Sequence, residues 1–217
     1  MEFAVLGWPV DEPTLRLDYR RFSYAGKFVT GNGIAVIRGE GPGENDTASA
    51  DSLPELPENV SASVFDATIL AAVAFNADRT DSETLWLRYL TVRRDLRGSG
   101  RQLGPRLVVY ITHQAGEQGY TTVRIAVNNV FSYHALYKAG FAYTGRETGI
   151  AELVLERPVD EPAARSTATY QDGFDIFGER TGLSEAEQAF LSDHSDAEPP
   201  AVVAVDSGVS NPRRSSE

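Results

Sequence analysis

The chain has 217 residues, 41% of them hydrophobic, enough for one sizeable core, and a formal net charge of −11 from 31 acidic against 20 basic side chains. That balance argues against nucleic acid or an anionic membrane surface as a partner, while leaving room for a local basic pocket. The absence of cysteine excludes disulfides, thiolate nucleophiles and Cys-ligated zinc, and His113, His134 and His194 are too scattered in sequence to suggest a metal site.

The opening MEFAVLGW reads as a strand ending before Pro9. It lacks the basic head and long apolar run of a signal peptide, and no stretch approaches the ~18 apolar residues of a membrane span, so a cytoplasmic location is expected. TLRLDYRRFSYA fits a strand or a helical turn, and GKFVTGNGIAVIRG fits a hairpin turning at Asn32-Gly33. Residues 38–62 are rich in Gly, Pro, Ser and acidic side chains and read as a flexible acidic loop. ATILAAVAFN and TLWLRYLTV then predict two antiparallel strands joined by the polar turn DRTDSE.

Next comes Arg97-Gly98-Ser99-Gly100-Arg101-Gln102-Leu103-Gly104, and after it a helical pattern with Leu103, Leu107 and Ile111 on one face. Three glycines allow a tight turn and close backbone approach, while a helix start offers unpaired N–H groups and the positive end of its dipole. Arg94, Arg97 and Arg101 gather three guanidinium groups around this turn in an otherwise acidic chain, which points to a specific anion. Pro105 places the helix start near residues 102–104. No lysine follows these glycines as a P-loop requires, and the third glycine is one residue late for a dinucleotide fingerprint. A bland Gly-rich turn is the alternative.

TTVRIAV predicts the next strand, followed by a short helix with Ser132 as N-cap and Gly140 as its stop. FAYTG and IAELVLER form a final hairpin around residues 147–149. Residues 158–182 carry scattered aromatics, Tyr170, Phe174 and Phe177, and Ser184 with Glu187 makes a capping box opening a helix to Leu191. The expected organisation is a domain over 1–157, an extension over 158–193 and a disordered tail over 194–217. The order of elements predicts an α/β fold, a central mixed β-sheet flanked by helices.

Two blocks in this chain resemble the GNAT superfamily of acetyl-CoA-dependent N-acetyltransferases, over roughly residues 64–157. Arg97, Gly100 and Gln102 occupy the first, fourth and sixth positions of the family's pyrophosphate loop [Q/R]xxGx[G/A]. The sixth departs from it, so either the loop path differs or the Gln102 side chain points outward. Leu136, Tyr137, Lys138, Gly140 and Phe141 correspond to the closing LYxKxGF, one residue shorter between Tyr and Lys, with the family's preceding asparagine at Asn128 or Asn129 rather than at Val130.

The resemblance implies a cleft where two parallel strands splay apart and an amine attacks the thioester directly, without a metal. Coenzyme A would be held by Arg97, Gly98, Ser99, Gly100, Arg101 and Gln102, by Asn128 or Asn129, and by backbone N–H groups at Leu90, Thr91 and Val92 that also serve as oxyanion donors. Tyr137 is the implied general acid, with core packing as the alternative. The fourth strand lacks the carboxylate that relatives often use as base; Glu83, just before it, is the nearest candidate, and His134 is a surface helix residue or a titrating group. Arg88 is placed on the acceptor side, sharing a strand face with Trp86 and Leu90, and either pairs internally or meets an anionic acceptor. The implied function is acetyl transfer to a primary amine of a small molecule or peptide; a non-catalytic acyl-CoA-binding or sensing module is the alternative. The resemblance leaves a homodimer open.

Lys27 and Lys138 are the only lysines, and an acidic, arginine-based composition suits a high-salt cytoplasm, with a high-GC genome as the plain alternative. Screening relieves self-repulsion in an acidic protein, so the melting temperature is expected to rise between dilute and molar KCl. A flat or falling melt would remove the support for halophilic adaptation.

Overall fold

Seven extended segments build one sheet in a computed structural model that describes residues 1–29, 31–40 and 53–205. The strands are β1 (Glu2–Gly7), β2 (Gly33–Arg38), β3 (Ile69–Ala77), β4 (Thr84–Val92), β5 (Thr122–Val127), β6 (Ala142–Glu147) and β7 (Leu153–Pro158). Their order across the sheet is β1-β2-β3-β4-β5-β7-β6. All neighbours are antiparallel except β4 and β5, which run parallel. Four α-helices complete the fold: α1 (Leu103–Glu117), α2 (Val130–Lys138), α3 (Thr167–Gly178) and α4 (Glu185–Asp193). The expected mixed α/β architecture is therefore present.

The core lies on both faces of the sheet, which explains why β3 is apolar throughout: every residue from Ile69 to Phe75 is fully buried. On one face Leu103, Leu107 and Ile111 of α1 and Val130, Leu136 and Tyr137 of α2 pack against Val73, Leu85, Leu87, Val123 and Ile125. On the other face an irregular segment between β1 and β2 contributes Leu15, Leu17, Phe22, Ala25 and Phe28. That segment, ambiguous by pattern, is neither strand nor α-helix. It is a chain of turns with a short 3₁₀ helix at Ala25–Phe28, held by apolar anchors.

The hairpin expected around Asn32-Gly33 does not form. Gly33 instead opens β2 directly opposite Phe75, and a Cβ there would lie 2.3 Å from the Phe75 ring. The glycine is required by packing, not by a turn. Likewise the α2 cap is Asn129, whose side chain accepts from the Ser132 N–H at 2.9 Å, rather than Ser132 itself; Gly140, at φ +84°, ends the helix as expected.

The C-terminal portion is more ordered than its composition suggests. Ser166 caps α3, which turns Tyr170, Phe174 and Phe177 inward, and Ser184 with Glu187 forms the expected capping box of α4. Residues 194–205 of the expected disordered tail are tied down: the Val203 N–H donates to Lys138 O (2.8 Å), Arg165 Nη1 to Pro200 O (2.8 Å) and Gln171 Nε2 to Ala197 O (2.8 Å). Backbone polar groups on packed elements supplied these partners, which composition cannot reveal. Residues 206–217, and residues 41–52 of the expected acidic loop, lie outside the described residues.

Gly173 sits in the middle of α3, where alanine would gain up to about 1 kcal/mol of helix propensity. A Cβ at this position would lie 2.3 Å from the ring and hydroxyl of fully buried Tyr133. Overpacking of this kind costs about 1–3 kcal/mol and outweighs the gain, so Gly173→Ala is expected to lower stability in denaturant unfolding. An unchanged or raised midpoint would show that Tyr133 is free to move.

Candidate active site

Parallel pairing between β4 and β5 runs from Thr84–Thr122 to Leu87–Ile125 and stops, while β4 remains paired with β3 up to Val92. From Arg88 onward the β5-facing edge of β4 is thus without a strand partner, and β5 continues on its other side with β7. Two parallel strands parting in mid-sheet leave a cleft lined by main-chain groups. A β-bulge marks the same point: Ala74 pairs with Tyr89 and Phe75 with Leu87, so Arg88 is the extra residue.

The bulge changes which side chains face which way. Leu85 and Leu87 belong to the α1-side core, and beyond the bulge it is Leu90 and Val92 that pack on that side, while Tyr89 joins the opposite cluster. Arg88 therefore shares a face with Trp86 but not with Leu90, because simple alternation fails across an inserted residue. Leu90 and Val92 lie directly under α1: a Cβ on Gly104 would be 3.8 and 3.5 Å from them. The free edge of β4 and the first turn of α1 are consequently neighbours.

That first turn has the features expected of an anion site. Gly98 (φ +70°) and Gly100 (φ +75°) adopt left-handed conformations with open space beside them. Gln102 is also left-handed, at φ 52°, a conformation glycine adopts at least cost; its exposed side chain makes no capping hydrogen bond to the helix. Ser99 Oγ ties the loop to Leu96 O at 2.7 Å. Arg94 and Arg101 are exposed and make no ion pair among the described residues. Arg97, in contrast, turns back to donate to Val92 O (3.1 Å) and Ser23 Oγ (3.0 Å), bracing the loop against the β1–β2 segment.

The two asparagines divide their roles. Asn129 caps α2 through its oxygen and donates its amide to Asn128 Oδ1 at 3.2 Å, whereas Asn128 is exposed with its own amide group unengaged among the described residues. Thr91 is buried on β4, and its hydroxyl has no hydrogen-bond partner.

Tyr137 packs in the core. Its hydroxyl is fully buried, accepts the Tyr143 N–H at 3.1 Å and lies 3.3 Å from the Tyr133 hydroxyl, within a cluster closed by Tyr170 and Phe174. Burial pushes this phenol above its ordinary range. His134 is also part of that cluster: Nδ1 is 2.6 Å from the Tyr170 hydroxyl and its ring meets that of His194 at 4.8 Å. Burial, with Lys138 and His194 nearby, lowers it to about 4 and keeps it neutral at pH 7. Two histidines far apart in sequence thus meet in space, although no group of three metal-ligating side chains forms among the described residues.

Glu83 is exposed at the opposite end of β4 from the cleft; its main-chain carbonyl, not its carboxylate, is engaged, accepting from the Thr121 N–H at 2.9 Å. A polar concavity of about 560 Å³ instead opens beside the bulge, lined by residues that include Lys27, Asn76, Asp78, Arg79, Trp86, Arg88 and Tyr89. Of these the sequence reading singled out Arg88 alone. Arg88 stacks on Trp86 at 4.5 Å and its Nε donates to Asn76 Oδ1 at 2.8 Å. Asp78 bonds Thr80 and pairs with Arg124 at 2.8 Å, contacts that hold its carboxyl below the usual range.

No protein-family model and no curated protein matches this chain. Among solved structures, it is similar to an N-acetyltransferase from Staphylococcus aureus Mu50 (16% identity, TM-score 0.41, 59% of this chain and 68% of that one). It is also similar to nourseothricin acetyltransferase (18%, TM-score 0.42, 59% and 65%) and to a PaiA N-acetyltransferase from Thermoplasma acidophilum in complex with coenzyme A (17%, TM-score 0.36, 43% and 55%). The chain thus spans less than two thirds of the second and third. Likeness at this level carries no conclusion about activity or ligand, which must come from the residues themselves.

Removing the Tyr137 hydroxyl leaves a buried N–H at Tyr143 without its acceptor, a loss of about 1–3 kcal/mol. Tyr137→Phe is therefore expected to lower the melting temperature by several degrees, at roughly 2–4 °C per kcal/mol for a chain of this size, and to leave kcat within about threefold. A kcat loss of ~10²-fold or more with an unchanged melt would return Tyr137 to the role of proton donor.

Proposed function

We propose that this protein is an N-acyltransferase that moves an acetyl group from acetyl-CoA to a primary amine by direct attack within a ternary complex. The observation that carries the reading is the packing of Gly104, in the first turn of α1, on the Leu90 and Val92 side chains of β4. It brings near each other a helix start with no side-chain cap and a strand edge that β5 has left, both without a strand or side-chain partner among the described residues. The first suits a pyrophosphate and the second a carbonyl oxygen gaining negative charge, as a phosphate-bearing thioester requires.

The residues fit that ligand by their chemistry. Bare left-handed backbone at Gly98, Gly100 and Gln102 gives access to amides, and Arg94 and Arg101 supply charge. Hydrogen bonds to charged groups contribute about 1.5–3 kcal/mol each, against about 0.3–1 kcal/mol for the helix dipole, so loop amides and arginines dominate. Asn128 offers the free amide for the pantetheine arm. Acetyl-CoA, when bound, supplies the activated acyl group; the amides of Leu90 and Val92, which alternate away from β3, hold the charge that develops on its oxygen.

Deprotonation of the amine is the step this site supports least. Glu83 is exposed and is not among the residues lining the concavity, and Asp78 is committed to Thr80 and Arg124. Water is then the proton acceptor, a route open to an amine of pKa near 8, roughly a tenth of which is free at pH 7, far more readily than to one near 10.4. The same lack of a free carboxylate, with Tyr137 buried, supports a second reading: an acyl-CoA-binding module without turnover. Release of free thiol from acetyl-CoA in the presence of amines separates the two.

Gly100→Asp would place a carboxylate beside the bound phosphates, and Gly100→Asn would make nearly the same shape without charge while tolerating the left-handed backbone. Calorimetry is expected to show coenzyme A binding weakened at least tenfold more by aspartate than by asparagine. Equal affinities for the two variants would place the phosphates elsewhere.

A further inference from the structure

The concavity beside the bulge concentrates positive charge in a protein of net charge −11. Lys27, Arg79 and Arg88 line it, and among the described residues none of the three makes an ion pair. Asp78, the acidic residue in its wall, is already engaged by Thr80 and Arg124. Arg88 is held in place from two sides, by the Trp86 face and by the neutral Asn76 carbonyl, which in turn is fixed by the Asn76 amide on Asn32 Oδ1 (3.0 Å). Partial burial disfavours its charge, and a neutral amide oxygen does not offset that cost. A guanidinium positioned this firmly, with its terminal nitrogens unengaged among the described residues, is prepared for a planar anion.

We infer that the acceptor is an amine that also carries a carboxylate, bound by Arg88 with Arg79 and Lys27 around it. The inference rests on the transferase reading for the fate of the amine, but not for the binding of the acid. The volume, about 560 Å³, fits a small molecule or the first residues of a peptide. Trp86 and Tyr89 provide apolar walls for the carbons between the two charged ends.

The test measures binding and turnover separately on the full chain, with coenzyme A present for binding and acetyl-CoA for turnover. Matched pairs share a skeleton and replace a carboxylate by a neutral amide: glycine, β-alanine, 4-aminobutyrate and lysine, each against its carboxamide, and a tripeptide amide with glutamate or glutamine at its second position, where the amine is least affected. At least one acid is expected to bind tenfold or more tightly than its amide by calorimetry, and the free acids against the tripeptide distinguish a metabolite from a peptide as the source. Arg88→Gln retains a donor for Asn76 and should reduce the preference to about twofold or less; exposed Arg79→Gln should reduce it partly. Acids and amides that bind alike, or no binding of any pair at 10 mM, would overturn the inference. Selective binding without acetylation would uphold it and count against the transferase reading, whereas acetylation of acids and amides at equal kcat/KM would do the reverse.

Discussion

Once β4 passes Leu87 it has a strand on one side only, and the candidate site follows from that single loss of pairing. Main-chain amides inside a sheet are ordinarily consumed by the ladder, so a buried edge is costly unless something else bonds to it. Here the edge lies beneath the first turn of α1, whose own N–H groups have no side-chain cap. The bulge at Arg88 belongs to the same event. It lets β4 change phase, so that Leu90 and Val92 stay packed under α1 while Arg88 and Tyr89 are delivered to the opposite side. On the function proposed above, the cleft for the acyl group and the pocket for its acceptor arise on two sides of one irregularity.

Charge is arranged locally against the global balance. Most arginines that approach the sheet are paired or braced: Arg93 with Asp95, Arg124 with Asp78 and Glu156, Arg97 on Val92 O. Arg94 and Arg101 at the loop, and Arg79 and Arg88 in the concavity, make no ion pair among the described residues. Within a strongly acidic chain, these exceptions are the positions where the proposed anions would bind. The aromatic cluster of α2 and α3 has a different task. It buries Tyr133, Tyr137 and Tyr170 with satisfied hydroxyls and packs α3 and α2 against β6.

The strands, the start of α1 and the glycine loop were legible because each is governed by local rules, periodicity and backbone freedom. Arg88 stood out in the sequence as an arginine on an apolar strand, but its face was misread past the bulge, since an inserted residue leaves no mark in an apolar run such as LRYL. Gly33 and Gly173 were opaque for a related reason: each is glycine because a distant ring, Phe75 or Tyr133, occupies its Cβ position. The α3 helix left a signal that could have been used, with Tyr170, Phe174 and Phe177 at spacings of four and three behind the cap Ser166. Tyr137 matched a motif, yet a motif fixes the residue and not the direction of its hydroxyl, which the packing of α3 decides. The rest of the concavity, Asn76, Asp78, Arg79 and Trp86 with Lys27, joins three separate stretches of chain and could be assembled only in space.

Hydrogen exchange of the backbone amides with and without coenzyme A tests the central claim most directly, because both halves of the site are main-chain donors. Slowed exchange is predicted at 98–104 and at 88–92 together, with the remainder of the sheet little changed. Protection confined to other segments, or in the loop without the β4 edge, would contradict the assignment of the cleft.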